Sequence, residues 1–153
     1  MMSILKDTAP GADVLDVRVL DDDGKGTYAN VEKGIRWAVD NSADIIVMSF
    51  VGDKKSALLE NALTYAEEHE VHVVASAGNY SSEKACYPAA YPTVISVGAL
   101  DENGNVQDYS NFGDYVDTFV EWSDGTSGAA QNVAAFAAIT MQQSPQKSAS
   151  DIR

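Results

Sequence analysis

The segment Ile45-Ile46-Val47-Met48 is apolar without interruption, as in a strand covered on both faces rather than one. Comparable runs recur at Val71-His72-Val73-Val74-Ala75 and Val94-Ile95-Ser96-Val97-Gly98-Ala99, with a shorter one at Tyr115–Val120 and an earlier one at Val14–Leu20. Between several of them lie segments whose apolar residues return at three- and four-residue steps, the spacing of a helix with one buried face. Val31, Ile35, Ala38 and Val39 mark a helix from about Tyr28 to Asn41, with Thr27 placed to cap it. Leu59, Ala62, Leu63 and Ala66 mark a second, capped by Ser56 and ending near His69. Strands that alternate with helices imply crossover connections and a parallel sheet. The expected fold is therefore α/β, a three-layer α/β/α arrangement with about five parallel strands, in a single domain over residues 1–153.

Ligands on such sheets bind beyond the carboxyl ends of the strands. The segments that leave strand ends there are Ser49-Phe50-Val51-Gly52, Ser76-Ala77-Gly78-Asn79 and the loop before Gly125-Thr126-Ser127. The last opens a small-residue helix in which Ala130, Val133, Ala134, Ala137 and Met141 form the periodic face. Backbone N–H groups in a first helical turn lack intrahelical partners, and the helix dipole favours negative charge there. A Ser127 hydroxyl in that turn either attacks a carbonyl whose oxyanion the helix end stabilises, or it only caps a buried helix. Asn79 is open to two readings in the same way, as an oxyanion donor or as a turn residue after a strand.

Charge excludes several partners. With 23 acidic and 10 basic residues the formal net charge is −13, which argues against nucleic acid and anionic membrane surfaces. A single cysteine, Cys86, excludes an internal disulfide framework and a multi-cysteine metal site. Asp21-Asp22-Asp23-Gly24-Lys25-Gly26 is acidic but lacks the spacing of a calcium loop and reads as a solvated turn. No metal and no cofactor are expected. The first residues lack the long apolar core of a signal peptide, so the compartment is left open with the cytoplasm preferred. Gln143 to Arg153 is a polar tail that could begin another helix.

Taken together, these segments resemble the subtilisin-like serine proteases, the subtilases, from about Ala9 to Arg153. Ala9-Pro10-Gly11-Ala12 with Val17–Leu20 is similar to the strand that lines one side of the family's substrate cleft. Gly34–Ala38 and Ile45–Ser49 match the next helix and strand, Val73–Asn79 the oxyanion segment, and Tyr87-Pro88 through Ala99 the strand after it. Tyr109-Ser110-Asn111-Phe112-Gly113 and Gly125-Thr126-Ser127 follow in the family's order. The resemblance implies a truncated subtilisin-like fold and serine endopeptidase chemistry. It puts Ser127 at the nucleophile position, Asn79 at the oxyanion hole, and Ser49, Phe50, Ser76, Ala77 and Gly78 along the substrate-binding strands.

The departures carry equal weight. No Asp-Thr-Gly or Asp-Ser-Gly follows a strand, and no His-Gly opens a helix. Asp7-Thr8-Ala9 matches the aspartate motif only superficially, and His69 and His72 read as structural. A serine without a general base is a poor nucleophile. The family's Met-Ala-Ser-Pro-His-Val is Gly128-Ala129-Ala130-Gln131-Asn132-Val133 here, Val51 replaces a glycine of the substrate-pairing strand, and the loop before the nucleophile shrinks to Val120–Asp124. Peptide binding along that edge is therefore in doubt. The competing readings are a protease domain inactive or nearly so by itself, a non-catalytic pseudoprotease that binds a protease, a pro-segment or itself, and an engineered or truncated folding fragment. Two structural expectations follow. Val14–Leu20 should pair directly with Ile45–Ser49. Val47, Val74 and Ile95, with Val133 and Phe136, should be left poorly covered, favouring a homodimer or a complementing protein chain on that face.

Overall fold

The computed structural model describes residues 2–143; the tail expected to start a helix lies outside the described residues. In chain order the elements are α1 (Met2–Thr8), α2 (Tyr28–Asp40), β1 (Ile45–Met48), α3 (Ala57–Glu68), β2 (His72–Ser76), β3 (Val94–Leu100), β4 (Thr118–Glu121) and α4 (Gly125–Gln143). The strands form one four-stranded sheet in the order β1-β2-β3-β4, and every pairing is parallel. The α/β class is as the sequence implies.

Burial follows position in the sheet. Every residue of β2 is buried, whereas the outer strands β1 and β4 are mostly half-buried. On one face, α2 and α3 pack Val31, Ile35, Leu59 and Leu63 against Val73 and Val94. Thr27 and Ser56 cap these helices as expected, accepting from Asn30 N at 3.2 Å and Leu59 N at 3.5 Å. On the other face α4 sets Ala129, Ala130 and Ala134 against Val74, Ile95 and Val97. Alanines let this helix lie close to the sheet, and at Gly128 an added Cβ would fall 2.0 Å from the Trp122 indole nitrogen.

Two expectations are corrected. Val14–Leu20 is extended but forms no strand, and a cleft separates it from β1. Branched residues favour extended backbone but supply no pairing partner. Here Val17 and Val19 lean on α2 instead, where Gly34 leaves the room: a Cβ there would meet Val19 Cγ1 at 2.5 Å. The sheet thus has four strands rather than about five. The second face is also better covered than expected. Val74 and Ile95 are fully buried, because α4 lies over them and α1 adds Leu5 to the same cluster. Val47 and Val133 are half-buried, and Phe136 is 58% exposed.

Candidate functional site

The carboxyl ends of β1 and β2 meet the amino end of α4. Ser127 is the third residue of α4 and is half-buried; its carbonyl accepts from Ser49 Oγ at 3.4 Å. Asn79 is exposed just beyond β2. Its Oδ1 accepts from both the backbone N and the hydroxyl of Thr126, each at 2.9 Å. That satisfies one of the unpaired N–H groups at the helix start. It also fixes the carboxamide, leaving Nδ2 as an available donor, with no partner among the described residues, on the side where Ser127 begins the helix. The Thr126 hydroxyl accepts in turn from Gly78 N at 3.2 Å. Gly125 enters the helix with φ +79°, a left-handed turn that glycine adopts without strain.

Asn111 locks the other side of the β2 loop. It is fully buried; its Nδ2 donates to Ala77 O at 3.0 Å, and its Oδ1 accepts from Tyr80 N at 2.9 Å. The Tyr115 hydroxyl donates to the same Ala77 carbonyl at 3.0 Å. Burial pushes the Tyr115 phenol up to about 12, only partly offset by its hydrogen bond with Asn111. Asn111 N also donates to Gly78 O at 2.9 Å. Gly78 itself has φ +113°, and a Cβ there would lie 2.6 Å from Asn111 Nδ2, so only glycine fits.

The residues expected along the substrate strands divide into two sets. Ser49 and Phe50 are half-buried at the end of β1, whereas Ser76, Ala77 and Gly78 are buried. The Ala77 carbonyl is occupied by Asn111 and Tyr115. Val51 leads into Gly52, whose N and O are both bonded to Tyr87. A shallow cleft of about 400 Å³ lies beside this bridge, lined by Val51, Gly52, Tyr80, Ser82 and Asn111 among others. Thr126 and Asn111 are the residues that sequence reasoning left without a role. The Tyr109–Gly113 motif was the available signal for Asn111, but its buried bonds are visible only in the fold.

Both of the chain's histidines sit at the opposite end of the sheet. His72 opens β2, four residues before Ser76, which at about 3.3 Å per residue places them roughly 13 Å apart along the strand. Burial lowers the His72 pKa, against the raising influence of Asp44 and Glu70. His69 caps the end of α3, its Nδ1 2.8 Å from Tyr65 O and its ring 4.1 Å from the Tyr65 ring. Neither reaches Ser127. Among the described residues no group of histidine, cysteine and carboxylate side chains is arranged to hold a metal, and no helix is long and apolar enough to cross a membrane.

Comparison with known proteins agrees with this arrangement. The model of the subtilase family matches residues 2–153. The chain is 37% identical to thermitase of Thermoactinomyces vulgaris over 95% of its own length and 57% of that protein. It is 35% identical to subtilisin DY of Bacillus licheniformis, again over 95% of its length and 60% of the relative. Among solved structures it is similar to a cold-adapted subtilisin-like serine proteinase, with TM-score 0.87 and 28% identity over 95% of this chain and 59% of that one. The chain thus spans somewhat under two thirds of the proteins it matches.

Proposed function

The chain belongs to the subtilase family of serine proteases, and from that premise we propose that it carries the nucleophile and oxyanion half of a serine endopeptidase site and is inactive or nearly so as an isolated chain. The observation that supports this reading is the Asn79–Thr126 clamp. It holds a carboxamide donor beside the first turn of the helix that begins with Ser127. A donor aimed at a developing oxyanion lowers the barrier by on the order of 3 kcal/mol, a magnitude that comes from subtilisin and not from this chain. The other half of the chemistry is general-base catalysis. With both histidines at the amino end of the sheet, the Ser127 hydroxyl keeps its proton and its ordinary weak nucleophilicity.

In the reaction this half-site serves, Ser127 would attack the scissile carbonyl and the helix start with Asn79 Nδ2 would receive the oxyanion. Proton removal and leaving-group protonation need groups that this chain does not place there. A fluorophosphonate probe followed by mass spectrometry tests the reading. Ser127 should label no faster than ordinary surface serines, and peptide hydrolysis should be indistinguishable between the chain and Ser127→Ala. Hydrolysis that is abolished by Ser127→Ala and quenched by the fluorophosphonate would refute it.

A further inference from the structure

The largest cavity in the molecule is a slot of about 1060 Å³ between the free edge of β1 and the extended segment Val14–Leu20. Its two walls are unpaired backbone. His72 N donates to Asp44 O at 2.9 Å, and the register pairs Ile45 with His72 and Val47 with Val74. In a parallel ladder this turns Asp44, Ile46 and Met48 toward β2 and leaves the N–H and C=O groups of Ile45 and Val47 facing the slot. On the far wall, the backbone from Val14 to Val19 takes no part in the hydrogen bonding of the described residues. The slot also has a roof and a floor. Val31, Ile35 and Ala38 of α2 close one side, and Ala134, Ala138 and Met141 of α4 close the other. It has the cross-section of one strand sandwiched between two helical layers.

Two further features narrow the occupant. Gln131 lines the slot at 3% exposure; its Nε2 reaches Ser49 Oγ at 3.5 Å, but its Oε1 has no partner. A buried acceptor left unpaired is costly, and a donor entering the slot would satisfy it. The charges on the walls are lopsided: Asp13, Asp16 and Asp44 line the slot, and its one cation, Arg18, is already paired with Asp22 at 2.6 Å. Asp44 lies at the amino end of β1, and Gly11, two residues before Asp13, is bonded to Gln142 near the end of α4. Ser49 and Gln131 lie at the carboxyl end.

We propose that the slot is a docking site for one extended strand of a second polypeptide, added parallel to β1. That strand is apolar on both faces because both are covered, carries a basic residue at its amino end facing the aspartates, and offers a hydrogen-bond donor opposite Gln131. Main-chain bonds to Ile45 and Val47 supply the pairing, as in other strand-addition complexes. The inference rests on the open edge and the orphaned Gln131 acceptor, and it stands whether or not Ser127 is activated.

The test uses the whole chain and a fluorescein-labelled peptide, Lys-Lys-Val-Ile-Val-Ala-Val-Ser. Fluorescence anisotropy should show saturable binding, and hydrogen exchange should show the Ile45 and Val47 amides becoming protected when the peptide is present. Replacing both lysines by glutamate should weaken binding roughly three- to tenfold, as expected for ion pairs at a rim. Peptide N-methylated at alternate residues should not bind, a control that leaves the protein untouched. Val47→Pro should also lose binding while keeping its thermal unfolding, since proline is tolerated where the N–H faces outward from an edge strand. Absence of saturable binding, equal binding of the N-methylated peptide, or binding without protection of Ile45 and Val47 would overturn the proposal. So would a stable dimer in which those amides are already protected, since a second copy would then be the occupant.

Discussion

Two regions that share β1 are built in opposite ways. At the carboxyl end of the sheet, Asn79, Thr126, Gly78 and Asn111 satisfy one another through a chain of bonds between 2.9 and 3.2 Å. Along the outer edge of the same strand, Ile45 and Val47 present backbone groups to a slot, and Gln131 holds a buried oxygen with no partner. The difference shows that the oxyanion half of a subtilase site needs only local contacts among β2, the Tyr109–Gly113 loop and the start of α4. The sheet edge, by contrast, needs a neighbour that this chain does not supply. A half-site can therefore be preorganised without being complete.

If that contrast is right, substitutions in the bonded cluster are costly and those in the slot are not. The largest effect is expected for Asn111→Leu. It leaves the buried Tyr80 N–H unpaired and takes one of two donors from Ala77 O, at a cost of about 2–4 kcal/mol. Thermal unfolding would read this as a fall of roughly 2–4 °C per kcal/mol in a chain of this size. Asn79→Ala comes next, at about 1–2 kcal/mol, because the Thr126 N–H and hydroxyl both lose their acceptor. Thr126→Val removes one of the same bonds, so the double variant should cost less than the two single costs together.

Acid probes the other end of the sheet. Burial holds the folded-state pKa of His72 below its ordinary value of 6.5. The unfolded chain therefore takes up a proton that the folded chain refuses, and this contribution to stability is lost as pH falls below about 6.5. Denaturant unfolding at pH 7.5 and 5.5 should show that loss, and His72→Gln should reduce it. A loss unchanged in His72→Gln would assign the acid sensitivity to another group. The smallest effect is expected for Gln131→Leu. It removes an unsatisfied acceptor and should leave stability unchanged or raise it by less than about 1 kcal/mol. A cost comparable with that of Asn111→Leu would mean the slot is not open in solution.

The legible parts of the chain were those governed by local pattern. The caps Thr27 and Ser56, the buried faces of α2 and α3, and the alternation that implies a parallel sheet all depend on residues within a few positions of one another. The arrival of Ser127 in the first turn of a small-residue helix was legible for the same reason. Val14–Leu20 was not, because its branched residues report an extended backbone and say nothing about whether a partner lies alongside. Coverage of Val74 and Ile95 was missed because it depends on how close an alanine-rich α4 can lie and on Leu5 of α1. Thr126 and Asn111 escaped notice because their partners lie 31 to 48 residues away along the chain.

One measurement addresses the contrast directly: residue-resolved amide hydrogen exchange on the unliganded chain at neutral pH. The Thr126 and Gly78 amides, bonded to Asn79 and Thr126 side chains, should exchange only through rare opening, orders of magnitude more slowly than an unprotected amide. The Ile45 and Val47 amides should exchange close to the unprotected rate although they belong to a strand, while Ile46 and Met48 beside them stay protected by β2. Uniform protection along β1, or rapid exchange at Thr126 and Gly78, would contradict a preorganised half-site beside an open edge.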